Sequence, residues 1–244
     1  MRHVKVPARV RPLLQAIGRV ADELGVSAYA VGGCVRDWLL GTSNTTDLDV
    51  SVEGSGIEVA QAIARAREGT IEVHRQFGTA TVMLGARRNQ LRIDFATCRK
   101  ETYAKPAAYP TVAPGTLEED LFRRDFTINA MAIAMSPGRF GILIDPFCGA
   151  QDLRRKTLRM LHGRSFLDDP SRILRGVRFA QRFGLRWEPQ TRRAMREAIA
   201  AGALGRLNAG RLRKEMDRMC EEPHPRACFE QFAALLIPGQ TYDE

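Results

Sequence analysis

The hydrophobic pattern changes its period once along this chain, near residue 155, and that change limits the fold more than any other feature. Before it, short runs of strand character alternate with runs at helical spacing. After Leu153 strand signals nearly vanish, and Arg-rich amphipathic helices take over. Such a pattern predicts an α+β chain: a mixed sheet with helices over residues 1–154, then an all-helical part over 155–244. At 244 residues the chain can bury a core without disulfides or a structural metal.

Local signals fill in the first part. Leu13, Leu14, Ile17, Val20, Ala21 and Leu24 recur at helical spacing and stop at Gly25. Residues 28–31 read as a short strand ending at Gly32-Gly33, and CVRDWLLG as a short helix closed by Gly41. TSNTT is a polar loop, and DLDVSV alternates strictly, as a half-buried strand does. Ser55 and Glu58 suggest a capping box at the head of the next helix. FGTATVML and NQLRIDFAT are expected to pair as a hairpin through ARRN. KETYAKPAAYPTVAPGT reads as an extended loop. DFTINAMAIAM is buried, but its period does not choose between strand and helix, and GILIDPF ends a further strand.

Charge narrows the partners. The net charge is +9 with a sequence pI near 9.8, and residues 151–220 carry 18 basic against 7 acidic side chains. The whole excess therefore sits in one segment, as expected of a surface that meets a polyanion, nucleic acid first. No run approaches the roughly 20 apolar residues of a membrane helix, so no membrane partner is expected. MRHVKVPARVRP lacks the apolar stretch of a signal peptide. The five cysteines are odd in number and form no CxxC pair, which predicts reduced thiols in a cytoplasmic protein.

The chemistry concentrates in three places. On a strand, residues i and i+2 share a face, so Asp47, Asp49 and Ser51 point one way while Leu48, Val50 and Val52 face the core. Two carboxylates so close repel one another unless a cation intervenes, and hard oxygen donors suit Mg²⁺. Asp94 lies on the polar face of LRIDFAT; if that strand lies beside DLDV, three carboxylates share one sheet face, as two-metal phosphoryl transfer requires. Gly32-Gly33 between strand and helix lets backbone N–H groups approach phosphate oxygens, with Arg36 in reach of the same anion.

GGCVRDWLLG, DLD, RRDFTINAMA, DPFCGAQDL and DDPSRILRGVRF, in that order, resemble the signature motifs of class II tRNA nucleotidyltransferases. These are the CCA-adding enzymes and their bacterial poly(A) polymerase relatives. The resemblance spans roughly residues 25–240. It implies a DNA polymerase β-type nucleotidyltransferase head followed by a helical neck. It also implies Mg²⁺-dependent transfer of CMP and/or AMP from CTP or ATP to tRNA 3′ ends without a nucleic-acid template. Residue by residue, it implies that Asp47 and Asp49 are the catalytic metal-binding pair and Asp94 the third carboxylate. It assigns nucleotide contacts to Gly33, Arg36, Arg124, Arg175 and Arg178, and base selection to Asp169 and Arg172. Poly(A) polymerase activity and a non-catalytic RNA-binding module are the alternatives.

The last motif also has a reading of its own. Arg172, Arg175 and Arg178 recur every three residues along one helix side. Asp169 offers only acceptors and Arg172 only donors. Cytosine and adenine present an amine beside a ring acceptor, and uracil and guanine the reverse, so such a pair selects C and A. Asp169 before Pro170 is equally a good helix cap, with Asp168 as a competitor for that duty. Asp145, Gly149 and Asp152 are expected to be structural, as are Trp38, Trp187 and a buried Cys34. Two departures from the family pattern stand out. No D-x-R-R-P-like element follows the third carboxylate, as in members that add CC only or A only. The chain also ends after a neck-like CFEQFAALLIPGQTYDE, where members usually continue into body and tail domains.

Overall fold

The computed structural model describes residues 2–42, 45–86 and 90–236. The chain divides into two compact units. The first comprises Met1–Glu101, Val112–Arg124 and Ile128–Ala150; the second comprises Thr102–Thr111, Asp125–Thr127 and Gln151–Glu244.

The first unit runs through α1 (Arg11–Glu23), β1 (Ser27–Val31), α2 (Gly33–Leu39), β2 (Asp47–Glu53), α3 (Gly56–Ala66), β3 (Thr70–His74), β4 (Thr79–Leu84) and β5 (Leu91–Thr97). It continues with a small hairpin, β6 (Arg99–Thr102) and β7 (Thr111–Pro114), whose tip belongs to the second unit, then α4 (Leu117–Phe122), β8 (Ala132–Ala134) and β9 (Leu143–Ile144). Seven strands make one mixed sheet in the order β3-β4-β5-β2-β1-β8-β9. β2 and β5 run parallel and the other neighbours antiparallel. A parallel pair needs a long crossover, and α3 with β3 and β4 supplies it.

The alternation of DLDVSV works as its pattern predicts. Leu48, Val50 and Val52 are buried in a core with Leu14 and Ile17 of α1, Val59 and Ile63 of α3, and Ile93 and Phe95 of β5. α1 and α3 touch each other and the sheet, so one sheet face is covered and Asp47 and Asp49 stand on the other. Ser55 caps α3 by accepting from the Glu58 amide at 3.2 Å. The reciprocal capping box occurs instead at α4, between Thr116 and Glu119.

The second unit takes over within α5 (Gly149–Arg154) and holds β10 (Thr157–Leu158), α6 (Ser165–Asp168), α7 (Ser171–Phe183), β11 (Arg186–Trp187), α8 (Pro189–Ala200), α9 (Ala209–Cys220) and α10 (Pro225–Leu236). Phe126 is fully buried, with the rings of Phe166, Phe179 and Trp187 at 6.3, 6.2 and 6.1 Å. Gly176 of α7 makes this packing possible. A Cβ there would overlap the Trp187 ring and lie 2.8 Å from Phe126, so the glycine's loss of helix propensity is offset by aromatic contact. Leu174, Val177, Met219 and Cys228 form a further core where α7, α9 and α10 meet.

Two expectations change, and one open reading closes. The stretch expected to be an extended loop contains the paired strands β6 and β7, whose residues carry too little apolar alternation to announce them. DFTINAMAIAM resolves into a tight 3₁₀ turn at Thr127–Asn129 followed by β8. In the helical part, β10 and β11 form one short parallel pair. The hairpin of β4 and β5 is present, with Leu84 opposite Leu91. Its Arg87–Asn89, and Ser43-Asn44 of the TSNTT loop, lie outside the described residues. No helix among the described residues is long and apolar enough to cross a membrane.

Candidate functional site

The central strands bring the carboxylates together. Asp49 of β2 is the register partner of Asp94 on β5, and Asp47 that of Arg92. Asp49 and Asp94 line a cleft of about 360 Å³ in the first unit, with Thr81, Arg92, Arg123 and Arg124 also on its walls. Asp49 is open to water yet sits deep in this concave surface. Desolvation pushes its carboxyl above the ordinary Asp range, the nearby Arg124 opposes that rise, and Asp94 and Asp47 add to it. Asp94 is already engaged. It accepts from Thr81 Oγ1 at 2.6 Å, and Arg92 Nε lies 3.0 Å from its Oδ2. Asp47, exposed at the outer end of β2, accepts from Thr46 Oγ1. The three carboxylates therefore share a sheet face but do not close into a ligand set, and no three metal-binding side chains do so among the described residues. The donor chemistry nonetheless fits a hard divalent cation: all are carboxylate oxygens, and their mutual repulsion is what such an ion relieves.

The glycine turn stands beside them. Gly32 has φ +75° and caps α2, while Gly33 is the first residue of that helix. A Cβ on Gly32 would lie 2.7 Å from Arg124 Nη1, so of the two glycines it is Gly32 that makes room for the arginine. The sequence marks the pair, and the family resemblance assigns the nucleotide contact to Gly33; the spacing of the pair does not reveal which one takes the positive φ. Arg36, expected to contact phosphate, is buried beneath the turn. It donates to Asn129 Oδ1 at 2.6 Å and to Asp37 Oδ1 at 2.8 Å, tying the glycine turn to the FTINA segment. Cys34 is buried, and that burial first of all pushes its thiol up to about 12, as expected of a structural thiol.

Arg124 is held from below by a residue the sequence did not single out. Asp120 is fully buried and accepts from Ser51 Oγ at 3.0 Å, Arg123 Nη2 at 2.8 Å and Arg124 Nη2 at 3.1 Å. Burial alone would raise its carboxyl, but the two guanidiniums outweigh burial and hold it below the usual range. A depressed carboxyl stabilises the fold fully above the unfolded-state value and loses that contribution as pH falls through the native one. Acid-unfolding curves of the parent chain and Asp120→Asn should therefore converge at low pH.

In the second unit the arginines of α7 do not form one open basic side. Arg172 and Arg178 are buried, because α7 is packed on both flanks. Arg172 donates to Ser165 Oγ at 2.7 Å. Arg175 donates to Asp125 Oδ2 at 2.7 Å through Nε, and the charge of that carboxylate outweighs burial and holds the guanidinium above its ordinary range. Arg178 donates to Glu222 Oε1 at 3.0 Å, and Arg182 to Glu222 Oε2 at 2.6 Å. Asp169 behaves as a cap: its Oδ1 accepts from the Ser171 amide at 3.0 Å and faces Arg211, leaving Oδ2 outside these contacts. His162, unassigned from sequence, lies near Arg172; burial and then that charge hold its imidazole below the ordinary range. Asp145 caps α5 through the Gly149 and Ala150 amides, and Asp152 accepts from Thr127 and Arg159, both structural duties.

The chain can be set beside known proteins. The poly A polymerase head domain matches residues 28–159. An A-adding tRNA nucleotidyltransferase of Geobacter sulfurreducens is 42% identical over 234 residues, covering 96% of this chain and 26% of that protein. Another of the same name, from Halalkalibacterium halodurans, is 40% identical over 228 residues, covering 92% of this chain and 52% of its own length. Among solved structures, a CCA-adding enzyme in its apo form II superposes with a TM-score of 0.87 at 39% identity, covering all of this chain and 60% of that one. The chain thus spans a quarter to a half of the length of these two relatives.

Proposed function

The chain belongs to the poly A polymerase head-domain family, and we propose that it transfers a nucleotide from a nucleoside triphosphate to the 3′ end of tRNA without a nucleic-acid template. The observation that carries this reading is the juxtaposition of Asp49 and Asp94 across β2 and β5, in one cleft with Arg124. The two A-adding relatives favour AMP as the group transferred.

In the reaction, the terminal 3′ oxygen of the RNA attacks the α-phosphorus, the α–β bridging P–O bond breaks, and pyrophosphate leaves. Asp47, Asp49 and Asp94 would hold Mg²⁺, which when bound lowers the pKa of the attacking hydroxyl and neutralises charge on the leaving pyrophosphate. The chain's own groups bind and orient. Arg124 presents a fixed positive charge to the triphosphate. The Gly32-Gly33 turn leaves backbone within reach of phosphate oxygens, with Arg36 bracing it from beneath. Asp169 accepts from the base amine through Oδ2 while Oδ1 keeps α7 capped, and Arg172 donates to the ring acceptor. Arg175 and Arg178, engaged by carboxylates, hold the α7 side of the base pocket in shape.

The test is incubation with tRNA ending before CCA, tRNA-C, tRNA-CC and an unstructured RNA, each offered each labelled nucleotide, with the products sequenced. Addition of a single A to tRNA-CC is expected. Addition of C alone would assign a CC-adding product, long A tails on unstructured RNA a poly(A) polymerase, and no incorporation would remove the enzymatic reading.

Two further outcomes follow. Arg172→Ala should lose discrimination against U and G by roughly ten- to a hundredfold, the worth of a hydrogen bond to a charged group. Unchanged selectivity in both Arg172→Ala and Asp169→Asn would leave Asp169 only a cap. RNA affinity should fall steeply with salt, since phosphate contact releases counterions. Exposed Arg154, Arg155, Lys156, Arg186, Arg213 and Lys214 are the second-unit residues expected to set the slope. A slope near zero would take nucleic acid off the partner list.

A further inference from the structure

Ser51, on the same face of β2 as Asp47 and Asp49, is buried. Its hydroxyl donates to Asp120 Oδ2, which Arg124 Nη2 also reaches. Asp120 Oδ1 is taken by Arg123 through Nε at 3.0 Å and Nη2 at 2.8 Å. Arg123 in turn donates to Glu101 Oε1 at 3.1 Å. Asp120 is thus fixed from several directions before it meets Arg124. On its other side Arg124 lies against Gly32, where a side chain would collide with it. Its Nε is buried without a hydrogen-bond partner. A long, flexible side chain is tethered by one carboxylate in the room that one missing Cβ leaves, on the wall of the cleft that holds Asp49 and Asp94.

We propose that Asp120 is a positioning residue for triphosphate binding, acting through Arg124 with Ser51 as its anchor and with Gly32 leaving the space that the guanidinium takes. The proposal rests on the reading of Arg124 as a phosphate contact. Two physical points separate this role from a plain structural ion pair. A buried carboxylate that served only stability needs one cation, and Arg123 already provides a two-point partner. The bond to Arg124 uses a single Nη2 at 3.1 Å, so it orients the guanidinium from one side and leaves Nη1 for a ligand. Pre-ordering matters because a free arginine must give up side-chain freedom on binding, and Asp120 removes that cost beforehand.

The experiment is a double-mutant cycle between Asp120→Asn and Arg124→Gln on the full chain, read as affinity for inorganic tripolyphosphate and as KM against kcat for ATP. Asp120→Asn should weaken tripolyphosphate by about tenfold and raise the KM for ATP similarly, with a smaller change in kcat at saturation. In the Arg124→Gln background the same substitution should add almost nothing. Equal effects in both backgrounds, or an unchanged affinity in Asp120→Asn, would overturn the positioning role. If Arg124→Gln itself leaves tripolyphosphate binding intact, the phosphate-contact reading fails instead, so the two failures are distinguishable. Should Asp120→Asn not fold, Ser51→Ala, which removes only the anchor, should show a smaller loss with the same dependence on Arg124. Absence of that dependence overturns the proposal equally.

Discussion

Asp49→Asn is expected to reduce nucleotide transfer by ~10³-fold or more, a loss of several kcal/mol of charge stabilisation in the transition state. Folding should not suffer. Asp49 contributes no apolar burial, and desolvation first, then repulsion from Asp94 and Asp47, disfavours its charge against the opposing pull of Arg124. Removing one charge relieves that repulsion, so without divalent ions the variant's Tm should equal or exceed the parent's. With Mg²⁺ the order should reverse, because the parent gains more from an ion that it binds better. Initial rates at saturating ATP and melting curves with and without Mg²⁺ check both halves. Substantial Mg²⁺-dependent activity in Asp49→Asn would sink the assignment of the carboxylate pair.

The largest effect on stability should come from a residue far from that pair in sequence. Glu222 is almost fully buried and receives Arg178 on one oxygen and Arg182 on the other. Its loss strands the buried Arg178, whose remaining carboxylate neighbour, Glu215, is 3.8 Å away. Removing one partner of a buried ion pair costs about 3–5 kcal/mol, because the other charge stays desolvated. Glu222→Ala should therefore lower Tm by roughly 10 °C or more. The Arg193–Glu197 pair, on the exposed face of α8, is the internal comparison: Glu197→Ala should leave Tm unchanged within error. Equal shifts for both would mean that Glu222 is no more desolvated in solution than Glu197.

What could be read from sequence was local. The strict alternation of DLDVSV places Asp47 and Asp49 on one face, because a strand has only two faces and Leu48, Val50 and Val52 claim the other. Asp94 follows by the same logic on β5. Nothing in the sequence, however, says that β2 and β5 are neighbours in the register that puts Asp49 opposite Asp94. The partners of the arginines were invisible for a related reason. Asp120 and Ser51 are 69 residues apart, Asp125 and Arg175 are 50, and Glu222 and Arg178 are 44. No local period links them. The arginines of α7 looked like an outer face because arginine is usually exposed, and only the carboxylates on neighbouring elements make their burial possible. Asp169 shows the limit from the other side. Its two roles, cap and base acceptor, ask for the same residue at the same place, so spacing alone could not separate them.

The chain enters the second unit at Thr102, leaves it, returns for Asp125–Thr127, leaves again, and comes back at Gln151. The short second visit carries Phe126, the ring at the middle of that unit's aromatic packing, and Asp125, the counter-charge of Arg175. Three stretches of polypeptide therefore build that unit, and the last two have to change together for its aromatic core to be exchanged between homologues. A single crossover near codon 150 would unite the α7 of one parent with the Phe126 of the other, and would be tolerated only where Gly176 and the rings around it match. Recombination should thus leave its viable junctions outside residues 102–151, and libraries of chimeras built from relatives would show this as a gap in the map of surviving breakpoints.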